Sequence, residues 1–296
     1  MIQNFAMKNQ LLFIAFLTFS KLNAQIKITQ IHINAGSFMD IDNSKNKLSD
    51  FTLLAPGSSI LSKDFSAYQQ NGYFFSGFMM GDNFNQSNSS NFQSIQLGLS
   101  FAKCPKGTLR IGISNVHSEL LSASGRYYES NVVDTLLSSQ TGQMYFVDST
   151  VSSYYNGNYS NDQLRLDAAY IFEANAGKRW AFHAGLGLTI GMSYRSTTTL
   201  LTEEYIQPYS GYEGSTNSQN IESETYGNFM VMGGSAYIPL GINFKLGNKR
   251  EFWKPFVIYN EFRPTIQLNS IPNNTVKFNV GFGSSLGLRY NLPSNK

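Results

Sequence analysis

From Phe92 onward apolar and polar residues exchange places at almost every position, the period-two pattern of a strand whose faces meet different surroundings. Ile95, Leu97, Leu99 and Phe101 share one face, against Gln96, Gly98, Ser100 and Ala102. Leu109, Ile111 and Ile113 follow, with Arg110, Gly112 and Ser114 opposite. Leu164, Leu166, Ala168, Tyr170 and Phe172 then stand against Arg165, Asp167 and Ala169. A long run places Trp180, Phe182, Ala184, Leu186, Leu188, Ile190, Met192 and Tyr194 against His183, Gly185, Gly187, Thr189, Gly191, Ser193 and Arg195. Ala236, Ile238, Leu240, Ile242 and Phe244 form the next apolar face, and Phe256, Ile258 and Phe262 the one after. The last strand is the most regular. Val276, Phe278, Val280, Phe282, Leu286, Leu288, Tyr290 and Leu292 oppose Lys277, Asn279, Gly281, Gly283, Ser285, Gly287, Arg289 and Asn291.

The charges decide what kind of sheet this is. None falls on the apolar faces. The opposite faces carry Arg110, Arg165, Asp167, Arg195, Lys245, Glu261, Arg263, Lys277 and Arg289. Hydrocarbon imposes that segregation, because Arg or Lys facing the bilayer midplane costs about 2–4 kcal/mol. Several strands reach the roughly 9–11 residues that a tilted spanning strand needs, whereas strands of soluble sandwiches usually run about 5–6. Short connections at Lys103–Gly107, Ala174–Lys178 and about Leu246–Glu251 alternate with long ones at about 118–161 and 196–228. That alternation predicts an all-β, antiparallel, up-and-down transmembrane β-barrel with short periplasmic turns and long outer loops. A first strand at about Gln30–Gly36 makes eight strands and puts both termini in the periplasm. A further hairpin around Tyr73 and Phe75, inside the long connection 37–91, would make ten.

Phe101, Phe172, Trp180, Phe244, Phe252 and Tyr290 lie beside the predicted periplasmic ends and are expected as an aromatic girdle. Some positions break the pattern. The first strand changes phase between Ile28 and Ile31, Asn260 interrupts an apolar face, and Pro239, Pro255 and Pro264 cannot donate to a ladder. These are read as bulges or strand ends.

The first segment is an address. Met7-Lys8 precedes an apolar run from Leu11 to Phe19, and Ala24 supplies a small residue before Gln25. This is the form of a secretory signal peptide over residues 1–24, with the barrel occupying 25–296. The run is far short of the about 20 residues of a spanning helix. No cysteine stands at the cleavage point, so it is not a lipoprotein signal. Cys104 is the one cysteine, which excludes an intrachain disulfide and leaves no redox partner. A formal net charge of +3 is too small to point to nucleic acid.

The mature chain resembles the small bacterial outer-membrane barrels typified by the OmpA transmembrane domain and OmpX. The resemblance is architectural. Its closest local feature is Leu286-Gly287-Leu288-Arg289-Tyr290-Asn291-Leu292, which looks like the terminal strand signal read by the barrel-assembly machinery in that group. The tail Pro293–Lys296 departs from it, since such proteins often end on the aromatic. The resemblance implies an outer-membrane protein whose partners are outer-membrane lipid and that machinery.

A barrel of eight strands is wide enough only to be filled by its own side chains. Gly185, Gly187, Gly191, Gly281, Gly283 and Gly287 leave room for long ones, so Arg110, Arg165, Arg263, Lys277 and Arg289 are expected to pair with Asp167 and Glu261 as a polar plug. The other reading of the same residues is a narrow, anion-leaning pore. The outer loops suggest contact chemistry. Tyr127, Tyr128, Tyr154, Tyr155, Tyr159, Tyr205, Tyr209 and Tyr212 sit among Ser, Asn and Gly, the mixture of rigid rings and adaptable polar groups found in antibody paratopes. This supports surface recognition or adhesion, with a surface ligand or an envelope protein as partner. An accessory barrel for secretion or envelope assembly is equally compatible. Glu203, Glu204, Glu213, Glu222 and Glu224 could hold a divalent cation, or simply be solvated.

An enzyme is not expected. In a continuing strand His117 and Glu119 point one way and Ser118 the other, so they cannot form the relay that activates a serine in lipid-modifying barrels. His32 and His183 read as lumen-facing structural histidines, since no ligand spacing accompanies them. No catalytic residue, cofactor or metal ligand is assigned.

Overall fold

The computed structural model describes residues 26–41, 46–66, 69–70, 89–101, 104–137, 139–175, 178–207, 218–247, 250–272 and 275–293. The signal peptide expected over 1–24 lies outside them, as do Tyr73, Phe75, Tyr209, Tyr212 and Glu213. The strands are β1 (Ile26–Ile41), β2 (Gln69–Gln70), β3 (Ser89–Phe101), β4 (Cys104–Leu137), β5 (Met144–Ala174), β6 (Trp180–Gln207), β7 (Ser218–Gly227), β8 (Met232–Tyr237), β9 (Leu240–Lys245), β10 (Phe256–Ile271) and β11 (Thr275–Asn291). Neighbours pair antiparallel around a closed circuit β1–β3–β4–β5–β6–β8/β9–β10–β11 and back to β1. The closing pair runs from Gln30 opposite Asn291 to Ile41 opposite Val280. With β8 and β9 as halves of one stave, the described residues make a circuit of eight staves.

Packing is inverted relative to a soluble domain. Leu166 and Leu188 on the outside are each 65% exposed, while Arg165 beside Leu166 is 1% exposed and Glu261 is fully buried. Soluble proteins rarely leave so broad an apolar surface bare, and a spanning barrel must do so. The described residues contain no helix long and apolar enough to cross a membrane, so the strands carry this surface.

Pro255 stands just before β10 and Pro239 in the gap between β8 and β9, as the expected strand ends, and neither they nor Pro264 sits at a bulge. Gly187 pairs with Tyr237 and Ala184 with Leu240, so the stave passes Pro239 without slipping. Its ladder is bridged by the Gly185 amide donating to the Pro239 carbonyl at 3.0 Å and Ile238 donating to Pro264 at 3.0 Å. Pro264 lies inside β10 in unbroken register, opposite Phe282. Asn260 likewise stays in register, on the outer face opposite Leu286. The phase change in β1 is a bulge between Ile28 and Gln30. Another bulge, between Asp162 and Gln163 against β6, makes Arg195 and Ser193 the partners and leaves Tyr194 over. One extra residue reverses the faces beyond it. Arg195 therefore lies exposed outside the barrel rather than in the lumen as expected.

The largest departure concerns the expected outer loops. Most of 118–161 belongs to β4 and β5, which pair from Gly107–Phe172 to Leu137–Met144. β4 alone has 34 residues, over three times the roughly 9–11 that span a bilayer. In 196–228, β6 runs on to Gln207 and pairs with β7. A tall curved sheet of β4 to β7 thus stands above one end of the barrel. In 37–91, residues 46–66 fold into a cap against it. The other end has tight connections, including one where Asn175 takes φ +60° and its carbonyl accepts from Lys178 at 2.9 Å. Asn tolerates the left-handed region better than most residues.

Candidate functional site

The lumen is filled in tiers. Nearest the tight turns, Arg289 makes a bidentate pair with Glu173, at 2.8 and 3.2 Å, and Asn243 donates to the same carboxylate at 3.0 Å. Above it Glu261 accepts from Arg110, from Arg263 Nε at 2.9 Å and Nη2 at 2.6 Å, and bonds His183 Nε2 at 3.0 Å. The Arg110 guanidinium lies 5.0 Å from the centre of the Tyr259 ring, and His32 meets that ring edge-on at 5.7 Å. The rings fit because Gly187 and Gly287 face them. A Cβ on Gly187 would stand 2.3 Å from Tyr237 Cζ, and one on Gly287 2.2 Å from Tyr259 Cζ.

Asp167 holds the next tier, accepting from Tyr237 Oη at 2.6 Å and Gln96 Nε2 at 2.8 Å. Arg263 spans the two tiers, its guanidinium 4.7 Å from the Phe92 ring centre. Higher still, Arg165 donates to Gln163 at 2.8 Å and Asn269 at 3.0 Å, while Asp40 accepts from Gln267 and Asn279. Thus Arg110 and Arg263 meet Glu261, but three expected pairings differ. Arg289 takes Glu173, a residue just past the apparent end of its strand. Arg165 bonds amide side chains. Lys277 donates to the Leu120 carbonyl at 2.7 Å. Burial of charge is costly unless it is paired and hydrogen-bonded; here most of the charged atoms have partners, but Arg110 Nε and Arg289 Nε have none among the described residues.

Above the tiers the cap closes the mouth. Leu48, Phe51, Leu54, Ala55 and Ile60 pack against Leu120, Leu121, Ala123, Tyr155, Tyr159 and Leu200 of the tall sheet and Ile271 at the end of β10. This is a core of ordinary soluble type, and it buries Tyr155 and Tyr159, which the sequence suggested as contact residues. Polar ties fix its rim. Asn228 donates to the Leu54 carbonyl at 2.7 Å, and Lys63 pairs with Glu222 at 2.7 Å. Glu224 accepts from the Ser58 hydroxyl, from Ser59 N at 3.0 Å and Oγ at 2.6 Å, and from Tyr226 at 2.9 Å. Glu222 and Glu224 therefore serve as latch residues between the tall sheet and the cap. Among the described residues no three His, Cys, Asp or Glu side chains gather as metal ligands do.

Partial burial alone would raise the Glu224 carboxyl, but the hydrogen bonds from Ser58, Ser59 and Tyr226 outweigh it and hold its pKa at about 2, below the ordinary 4.5. A depressed carboxyl stabilises the folded cap above its unfolded value and loses that contribution as pH falls through its folded value. Hydrogen-exchange protection of the 58–61 amides, corrected for intrinsic rates, should be full above about pH 4.5 and decline toward pH 2. In Glu224→Gln that acid dependence should be missing. Identical pH profiles in the two proteins would remove the latch.

The remaining candidates fall into place by geometry. Ser118 is buried toward the lumen, whereas His117 points outward and bonds Asp162 at 2.7 Å, so the two lie on opposite faces. His32 bonds Gln30 at 2.9 Å inside the barrel. At the turn end Trp180 and Phe244 lie 4.5 Å apart, Phe256 lies 5.1 Å from Tyr290 and 5.6 Å from Phe252, and Phe172 is exposed and Phe101 half-buried nearby. Tyr194, at the opposite boundary, donates to Asn115 at 3.1 Å.

An apolar outer wall, an ionic interior and a closed hydrogen-bonded circuit define a transmembrane-type β-barrel with a plugged lumen. No family model matches the chain, and no curated protein does. Solved structures similar to it include Neisserial surface protein A (NspA), at 11% identity and TM-score 0.34, over 90% of this chain and 99% of that one. Others are OprB of Pseudomonas putida, at 6% and 0.15 over 90% and 94%, and the toluene transporter TbuX of Ralstonia pickettii, at 10% and 0.19 over 90% and 90%. Likenesses this faint say nothing of function, and the membrane reading stands on the geometry.

Proposed function

We propose that the chain is a non-enzymatic integral protein of a bacterial outer membrane that recognises a surface ligand through its tall sheet. It is exported by a leader cleaved after Ala24 and inserted by the barrel-assembly machinery, with its termini and tight turns in the periplasm. The observation that carries this reading is the continuation of β4 and β5 as a paired hairpin far beyond the apolar wall. A membrane anchor needs no such arm, and strand pairing presents its side chains at low entropic cost. Tyr128, 63% exposed, and Tyr205, 42% exposed, stand out from this sheet among Ser and Asn.

The test replaces residues 127–153 with Asn-Gly, joining Arg126 to its partner Tyr154 by a turn that suits a hairpin. Cells displaying the full chain should bind members of a panel of glycans and purified envelope proteins, and the shortened chain should fold but lose that binding. Unchanged binding, or none by the full chain, would overturn the recognition role. Planar-bilayer recording should show no steady ohmic conductance for either protein. A steady current would favour the narrow anion-leaning pore instead.

A further inference from the structure

The two ends of the barrel differ sharply in charge. The tall sheet carries Glu119, Glu129, Asp162, Glu203 and Glu204 in addition to the latch residues, against Arg126 and Arg195. The tight-turn end carries Lys27, Lys178, Arg179, Lys245, Arg250 and Lys254. Its described acids are engaged: Glu251 with Lys254, and Glu173 inside the lumen with Arg289. The cations are concentrated where β5 turns into β6 and β9 leaves the wall. There the Arg179 guanidinium lies 4.8 Å from the centre of the Phe244 ring, which also contacts Trp180. Lys178 and Arg179 are both exposed at this turn, whereas Lys245, paired with the buried Val257, lies on the lumen side of its strand. Directly along the outer wall run Trp180, Phe182 and Ile242, all exposed.

We infer that this corner is a binding seat for an anionic glycerophospholipid. Arg179 and Lys178 hold the headgroup phosphate, the Trp180–Phe244 pair marks the interfacial level, and the apolar wall receives the acyl chains. Three features select this occupant. Guanidinium and ammonium groups are the usual phosphate donors, Arg by a planar fork and Lys as a point charge. Aromatic rings of this kind settle at headgroup depth. Basic residues beside a bilayer surface attract anionic lipid within a Debye length. A polyanion in solution would use the charges but would have no need of the apolar wall.

The inference rests on the membrane-barrel reading and is tested separately from it. The full chain, refolded in neutral detergent, is titrated with phosphatidylglycerol or with phosphatidylcholine of the same acyl chains, and bound lipid is counted by native mass spectrometry. Phosphatidylglycerol should bind at least tenfold tighter, and 0.5 M salt should remove most of the difference. Lys178→Gln/Arg179→Gln should bring the two lipids to parity, while Arg126→Gln at the far end should leave the preference intact. Equal binding of both lipids by the wild-type chain would overturn the seat. So would a preference surviving in the double variant, or one lost equally in Arg126→Gln. Heat-modifiable gel mobility checks folding in each sample, and its absence in the wild-type chain would instead remove the barrel reading. Should the double variant fail to fold, Arg179→Gln alone, compared with the charge-keeping Arg179→Lys, gives the same decision.

Discussion

Replacing Glu261 with alanine should cost the barrel about 3–5 kcal/mol, the usual result of stranding one side of a buried ion pair. Glu261 is fully buried and holds Arg110, Arg263 and His183 on its two oxygens. Without it two guanidiniums face each other in the lumen, where water cannot readily replace the lost carboxylate. The effect should be read as a lower midpoint of denaturant unfolding in micelles, followed by the gel shift between folded and unfolded bands. Adding Arg110→Met to Glu261→Met should recover part of the loss, because an apolar substitute for a whole pair is often close to neutral whereas half a pair is not. A loss under about 1 kcal/mol would mean that water reaches the guanidiniums. The tiers would then line a wet channel, and the bilayer recordings should show it.

The sequence was readable wherever lipid imposes a rule. Along β11 every second residue from Val276 to Phe282 is apolar and exposed, so the face assignment followed from alternation alone. Above the membrane that rule lapses. In β5 the run Ser152-Ser153-Tyr154-Tyr155-Asn156-Gly157 has polar or aromatic residues on both faces, so no period marks it as strand. It pairs nonetheless, with β4 on one side and β6 on the other. The cap was invisible for the opposite reason. Leu48, Phe51, Leu54 and Ile60 are apolar at irregular spacing, and their partners lie across the fold on β4, β5 and β6. Arg195 was misplaced because one unpaired residue, Tyr194, changes the face of everything after it. Glu173 was missed because it lies beside the turn, where nothing in the sequence reveals that Arg289 reaches it from β11.

The segregation of the two faces yields the sharpest test of where this protein resides. Leu188 lies on the outer face of β6, midway between the boundary residues Trp180 and Tyr194. Were the barrel in water, Leu188→Arg would put a charge at an already exposed position and change stability by no more than about 0.5 kcal/mol. In a bilayer the same arginine sits near the midplane and should cost about 2–4 kcal/mol. Thr199→Arg provides the comparison. It lies on the same strand, also exposed, but beyond the polar boundary formed by Asn115, His117, Asp162 and Tyr194, and should cost almost nothing. Both are measured by unfolding from large unilamellar vesicles, since micelles adapt to a buried charge more easily than a bilayer does. A penalty at 188 with none at 199 fixes both the membrane and the depth of the chain within it. Equal small effects would mean that the outer wall meets no hydrocarbon, and the lipid seat and the projecting arm would lose their setting.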